Sequence, residues 1–181
     1  MTSTPGRPVD ELRAVDDAFA RFLAAVDRMT EDQVRGPSRL PDWTRGHVIV
    51  HVALSGEGDA LTVEASCRGE VGDKYPGGAE QRAADIEAGA GASLSALRGQ
   101  LVAMEQRLVD AWAALPDDSW GALARGPFGE RTAADGVPAR RRELLVHLVD
   151  LDVGVEPTDL PSDYLAGDAE FLAQFRPEWG Q

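Results

Sequence analysis

The chain has 181 residues, enough for one domain with a real hydrophobic core. Apolar residues make up 43%, aromatics only 6%, and Ala, Leu, Asp, Glu and Arg dominate, a balance that favours helix. A formal charge of −13 argues against a nucleic-acid partner, since phosphate backbones need clustered Lys and Arg and the one basic run, Arg140-Arg141-Arg142, cannot offset that field.

The leader from Met1 to Pro8 has no apolar h-region, so no signal peptide is expected. From Val9 to Met29, Leu12, Val15, Phe19, Phe22, Leu23 and Val26 recur at three- and four-residue steps and predict a helix with one apolar face. Gly36, Pro37 and Pro41 break a connector over Thr30 to Pro41. Thr44 then caps a second helix that runs to Cys67 and carries both His47 and His51. Cys67 is the single cysteine, which rules out an internal disulfide and suits a reducing, cytoplasmic setting. No motif marks it as a nucleophile.

Residues 69–78 form a loop long enough to line a site. A third helix is predicted from Glu80 to Leu115, with Gly89-Ala90-Gly91 a weak point at which it can break in two. Its second half carries the stripe Leu94, Leu97, Leu101, Met104, Leu108, Val109 and Trp112, and Pro116 stops it. Residues 117–136, rich in Gly and Asp, predict a short hairpin or an ordered loop around Trp120, Leu123 and Phe128. A fourth helix is placed from Val137-Pro138, where proline suits a first turn, to about Gly154. Residues 1–156 then form one helical domain, and 157–181 a short tail with a helix over Asp163 to Gln174 and a frayed end. Four helices without alternating strand runs predict an all-α, four-helix bundle. No run of about 18 apolar residues occurs, so neither a transmembrane helix nor a membrane partner is expected.

The three histidines all fall on predicted helices. His47 and His51 are one turn apart, as are Glu143 and His147. The second pair borders the stripe of Leu144, Leu148 and Leu151, so a carboxylate and an imidazole point at the core, where they need each other, another partner or a metal. A plain ion pair or a buried hydrogen bond accounts for Glu-x3-His taken alone. One histidine of the second helix, joined to Glu143 and His147, would instead put two imidazoles and one carboxylate around a divalent ion with a position left open for water or substrate. Zinc and nonhaem iron both accept such a set. Of His47 and His51, one is then the ligand and the other packs against Trp43 or orients a neighbour.

Three segments carry a more specific signal. Leu40 to Ala53 reads Pro-x-Trp-Thr-x-x-His-x3-His-x-Ala, Gln81 to Ala90 contains Arg-x-x-Asp-Ile-Glu, and Val137 to Leu151 contains Arg-x-x-Glu-x3-His-x-x-Asp-Leu. In this order, over about 40–155, they resemble the mycothiol-dependent maleylpyruvate isomerase family, part of the wider DinB-like group of metal-binding four-helix bundles. The resemblance implies a metal site between helices with His51, Glu143 and His147 as ligands and zinc as the expected ion. His47 matches a frequent family residue outside the ligand set. Arg82 matches an arginine implicated in contact with an anionic ligand, and is the expected catalytic and cofactor-binding residue; an ordinary surface charge is its other reading.

The implied chemistry is thiol-dependent. A divalent ion favours the thiolate of mycothiol, the low-molecular-weight thiol cosubstrate, for attack on a small-molecule electrophile. Attack on a double bond, rotation and expulsion would isomerise a cis-enone such as maleylpyruvate; attack with loss of a leaving group would be S-transfer. Family isomerases carry a second, smaller C-terminal domain that contributes to the active site, whereas only residues 157–181 follow the last motif here, so S-transfer is expected ahead of isomerisation. A monomer or homodimer suits either reaction. The alternative is a non-enzymatic metal-binding or interaction module of the same fold.

Overall fold

Helix α1 (Val9–Asp27) presents Val15, Ala18, Phe22, Ala25 and Val26 to the interior, the face its three- and four-residue steps predict. The computed structural model describes residues 5–127 and 129–180. The predicted connector contains a short helix, α2 (Glu31–Arg35), overlooked behind the proline and glycine breakers. A capping box starts it: Gln33 N donates to Thr30 Oγ1 at 3.2 Å and Thr30 N to Gln33 Oε1 at 2.9 Å.

Helix α3 (Arg45–Cys67) begins after Thr44, as the sequence indicates. It is buried without interruption from Val48 to Ala53, because other elements cover nearly every side of it. These are strand β1 (Gly72–Asp73) and helices α4 (Gly78–Ala90), α5 (Leu94–Ala114) and α6 (Ala133–Asp150). The weak point at Gly89-Ala90-Gly91 does split the predicted third helix. Ser93 caps α5 by accepting from Ala96 N at 3.2 Å, and Leu97, Leu101, Leu108 and Trp112 enter the core. Strands β2 (Leu123–Gly126) and β3 (Gly129–Thr132) form the expected hairpin. The parallel pairing of β1 with β2 makes a small three-stranded sheet in an otherwise helical chain. Trp120 is fully buried ahead of the hairpin, while Phe128 lies outside the described residues.

Helix α6 starts four residues earlier than the proline suggests. Thr132 accepts from Asp135 N at 3.1 Å, and Asp135 Oδ2 accepts in turn from Thr132 N, so this capping box overrides Pro138, which sits inside the helix. It also ends earlier, at Asp150; Asp152 (φ 53°) and Gly154 (φ 86°) turn the chain away in left-handed conformations. The tail forms two short helices, α7 (Ser162–Gly167) and α8 (Ala169–Phe175), where one was predicted. In place of a frayed end, Pro177–Gly180 makes a 3-10 turn with Trp179 packed on the core. Among the described residues, no helix is long and apolar enough to cross a membrane.

The basic run is dismantled by the fold. Arg141 pairs with Asp163 and Arg142 with Asp168, both on the tail, while Arg140 is fully buried against Glu105 of α5. Arg140 Nε donates to Glu105 Oε2 at 3.0 Å, and its NH1 donates to the Val52 carbonyl of α3 at 2.9 Å. One guanidinium thus pins three helices beside His51. Gly56 gives it room, since a Cβ there would lie 3.0 Å from Arg140 NH2. Breaking a buried pair by neutralising one member strands the other charge. Glu105→Gln is expected to cost about 3–5 kcal/mol, the range for such broken pairs, in urea unfolding. A loss below about 1 kcal/mol would show that water or another group reaches Arg140.

Candidate metal centre

Three side chains from two helices converge at the middle of the bundle. His51 comes from α3, and Glu143 and His147 come from successive turns of α6. His51 Nε2 lies 2.8 Å from Glu143 Oε1 and 2.9 Å from His147 Nε2, and His147 Nε2 lies 3.8 Å from the same carboxylate oxygen. One ligand atom from each falls within 4.8 Å of the others. The imidazoles meet edge to face, at 83° with centroids 4.5 Å apart. The family resemblance implied the same three residues, which the structure brings together.

Each histidine is oriented through its second nitrogen. Asp150 Oδ2 accepts from His147 Nδ1 at 2.8 Å, which leaves the Nε2 lone pair directed at the cluster. Arg82 of α4 donates through NH2 to His51 Nδ1 at 2.5 Å, and its guanidinium also lies 4.8 Å above the Tyr75 ring. A guanidinium only donates, so the His51 proton sits on Nε2, aimed at Glu143. Burial pushes the His51 pKa down to about 4, against the opposing pull of Glu143. Burial also works against ionisation of Glu143, but the hydrogen bond from His51 and the electrostatic pull of His147, His51 and Lys74 hold its carboxyl well below the usual range. Neutral imidazoles beside a carboxylate are the forms that bind a divalent cation.

The two histidines of α3 separate cleanly. His47 belongs to the capping box, with Thr44 N donating to its Nδ1 at 3.1 Å, and its Nε2 meets Glu87 at 3.1 Å. Its ring stacks on Trp43 at 6.0 Å, and Trp43 also lies 5.4 Å from the His51 ring. Arg82 is no free surface charge, because it joins the cluster through His51. Cys67 is exposed at the far end of α3.

A cavity of about 660 Å³ opens over His51 and Glu143. The predicted loop supplies Asp73, Lys74 and Tyr75 to its wall, and Arg82, Arg131, Arg142 and Phe171 complete much of the rest. Lys74 is buried, with Nζ 3.0 Å from Ser55 Oγ and 2.9 Å from Asp59 Oδ1. Arg131 donates to the same Asp59 oxygen, so two cations share one buried carboxylate at the cavity wall. Gly58 allows this loop to approach, since a Cβ there would come within 2.5 Å of the Lys74 carbonyl oxygen. Sequence reasoning missed Lys74, Arg131 and Asp150. Asp150 stands in the third motif at i+3 from His147, a spacing that marks a partner on one helix face.

The family model described as the mycothiol maleylpyruvate isomerase N-terminal domain matches residues 12–152, and the chain belongs to that family. Among solved structures, the chain is similar to the crystal structure of a mycothiol-dependent maleylpyruvate isomerase, with a TM-score of 0.86, 24% identity, and coverage of 93% of this chain and 71% of that one. A histidine-to-alanine mutant of that enzyme matches with a TM-score of 0.85 and 23% identity over the same shares. At these identities the structural likeness shows the fold. A search of the curated proteins gave no match.

The hydrogen-bond pattern sets opposite tautomers for the two histidines. In metal-stripped protein, long-range ¹H–¹⁵N spectra should show His51 protonated on Nε2 and His147 on Nδ1. Arg82→Ala should let the Nδ1–H form of His51 appear while leaving His147 unchanged. An Nδ1–H signal for His51 in the unsubstituted protein would contradict the Arg82 contact.

Proposed function

We propose that the chain binds one divalent ion through His51, Glu143 and His147 and acts as a mycothiol-dependent transferase or isomerase on a small electrophile. The observation that carries this reading is the cluster itself: one potential ligand atom from each of the three residues converges, with only the His51 Nε2 proton between them. A cation can replace that proton. Two imidazoles and a carboxylate are a donor set that zinc accepts with a coordination position left over, and nonhaem iron accepts as well. Zinc is the proposed ion, and the cytoplasm the proposed compartment.

A divalent ion in this place supplies stabilisation of a thiolate at neutral pH. The remaining work falls to the protein. His51, when it ligates through Nε2, carries its proton on Nδ1. Arg82 has no acceptor to offer that proton, so it turns from the imidazole to meet an anionic group in the cavity. The shared Lys74–Asp59–Arg131 pairing adds positive charge to the cavity wall, and Phe171 and Tyr75 restrict water. Electrophile and thiol are thereby held in one enclosed space. Attack followed by rotation and expulsion gives isomerisation; attack with loss of a leaving group gives S-transfer.

Metal analysis combined with thiol titration tests this directly. Purified protein is expected to hold about one divalent ion per chain. His51→Ala, Glu143→Ala and His147→Ala should each lose it, and His47→Ala should keep it, because His47 serves the helix cap. Full occupancy in all three ligand variants would sink the assignment.

Cobalt-substituted protein should gain a sulfur-to-metal charge-transfer band when mycothiol is added. Arg82→Ala should keep the metal yet weaken thiol binding or turnover of an electrophile, since the guanidinium serves the anionic ligand rather than the ion. Metal binding without any thiol response would point to a non-enzymatic metal-binding module.

A further inference from the structure

Asp150 occupies an awkward place. It is the last residue of α6, where the partial negative charge of the helix C-terminus opposes a carboxylate, and its side chain is only 2% exposed. His147 supplies a hydrogen-bond donor to it through Nδ1. The compensating cation comes from outside the bundle. Arg176, directly after α8, donates through NH2 to Asp150 Oδ2 at 2.6 Å, the oxygen that also accepts from His147 Nδ1.

The arginine is itself held in place. Its backbone N donates to the Leu172 carbonyl at 2.8 Å, its carbonyl accepts from Trp179 N at 3.0 Å, and its guanidinium lies 5.6 Å from the Trp179 ring. The tail carrying it is tied to the same helix by Asp163 to Arg141 and Asp168 to Arg142. Three ion pairs therefore run from the tail to one helix, and the last of them ends one hydrogen bond from a residue of the metal centre.

We infer that Arg176 is a positioning residue for the metal centre: it fixes the Asp150 carboxylate, and through it the ring of His147, so the C-terminal segment is a working part of the site. This rests on His147 being a ligand. A carboxylate behind a ligating imidazole sets ring direction and donor strength, and loss of such a partner weakens metal affinity by about 10- to 100-fold. Arg176 acts one atom further out, and its removal is expected to cost about tenfold. A residue that merely tied down the tail would leave affinity unchanged.

The test is a competitive zinc titration against a chromophoric chelator, with folded state checked by near-ultraviolet circular dichroism. Arg176→Ala should raise the zinc dissociation constant about tenfold and shift the d–d bands of the cobalt form. Arg176→Lys, which restores one charge at the carboxylate, should recover much of that affinity. In an Asp150→Asn background Arg176→Ala should have no further effect, because its target is gone. Unchanged affinity and bands in folded Arg176→Ala would overturn the inference, as would an equal loss with or without Asp150. His147→Ala serves as the separate control. If it retains zinc, the ligand assignment fails; if it loses zinc while Arg176→Ala does not, only the role of Arg176 fails.

Discussion

The burial of α3 on nearly every side is the constraint around which the rest of the molecule is arranged. A surface helix leaves its polar groups to water, but the buried ones of α3 must be met within the protein, Thr62 and Ser66 by carbonyls of α3 itself and the others by neighbouring elements. His51 is met by Glu143, His147 and Arg82; Ser55 and Asp59 are met by Lys74, with Arg131 completing Asp59. Even the Val52 carbonyl accepts a bond from Arg140. The candidate site is thus the consequence of placing a polar helix at the centre of a bundle, and the glycines of α3 mark where partners press closest.

The charge pattern follows from the same demand. The chain as a whole is strongly acidic, yet cations gather at the cavity; Arg82 is held by His51 and the Tyr75 ring, and Lys74, Arg131 and Arg142 are held by carboxylates. Lys74 and Arg131 divide Asp59, whereas Arg142 takes Asp168 and stacks at 4.1 Å over Phe171. A net acidic chain with cations gathered at the cavity wall favours an anion at the site over the rest of the surface. Fixed pairing also keeps these cations from collapsing onto Glu143, which leaves that carboxylate to the histidines.

Much of this was legible in the sequence, and the gaps have physical reasons. Apolar periodicity gave α1 and the stripe of α5, the Thr44 cap gave α3, and the i,i+4 pair Glu143/His147 showed two polar groups facing a core. Choosing His51 over His47 was beyond periodicity; it needed the resemblance, and the structure explains the difference by the cap that occupies His47. Long-range pairing left no local trace. Glu105 stands in the polar run Glu105-Gln106-Arg107, of a kind that ordinarily faces water, although its partner is 35 residues away. Lys74 sat in a loop and Arg176 in a tail where charge ordinarily means solvent. The start of α6 was misplaced because Pro138 was weighed above Thr132 and Asp135, a capping box two elements could have claimed.

Thr44 ends as more than a helix cap. Because it fixes where α3 begins, it sets the rotational phase of every residue that follows. His51 lies seven residues on, two turns of helix, and so its ring faces α6 by counting alone. One residue inserted between them would swing the imidazole by about 100° and carry it about 1.5 Å along the axis, away from Glu143. Length changes are therefore confined to the chain before Thr44 or beyond the last partner of α3, while the interval from Thr44 to His51 behaves as a ruler of fixed length.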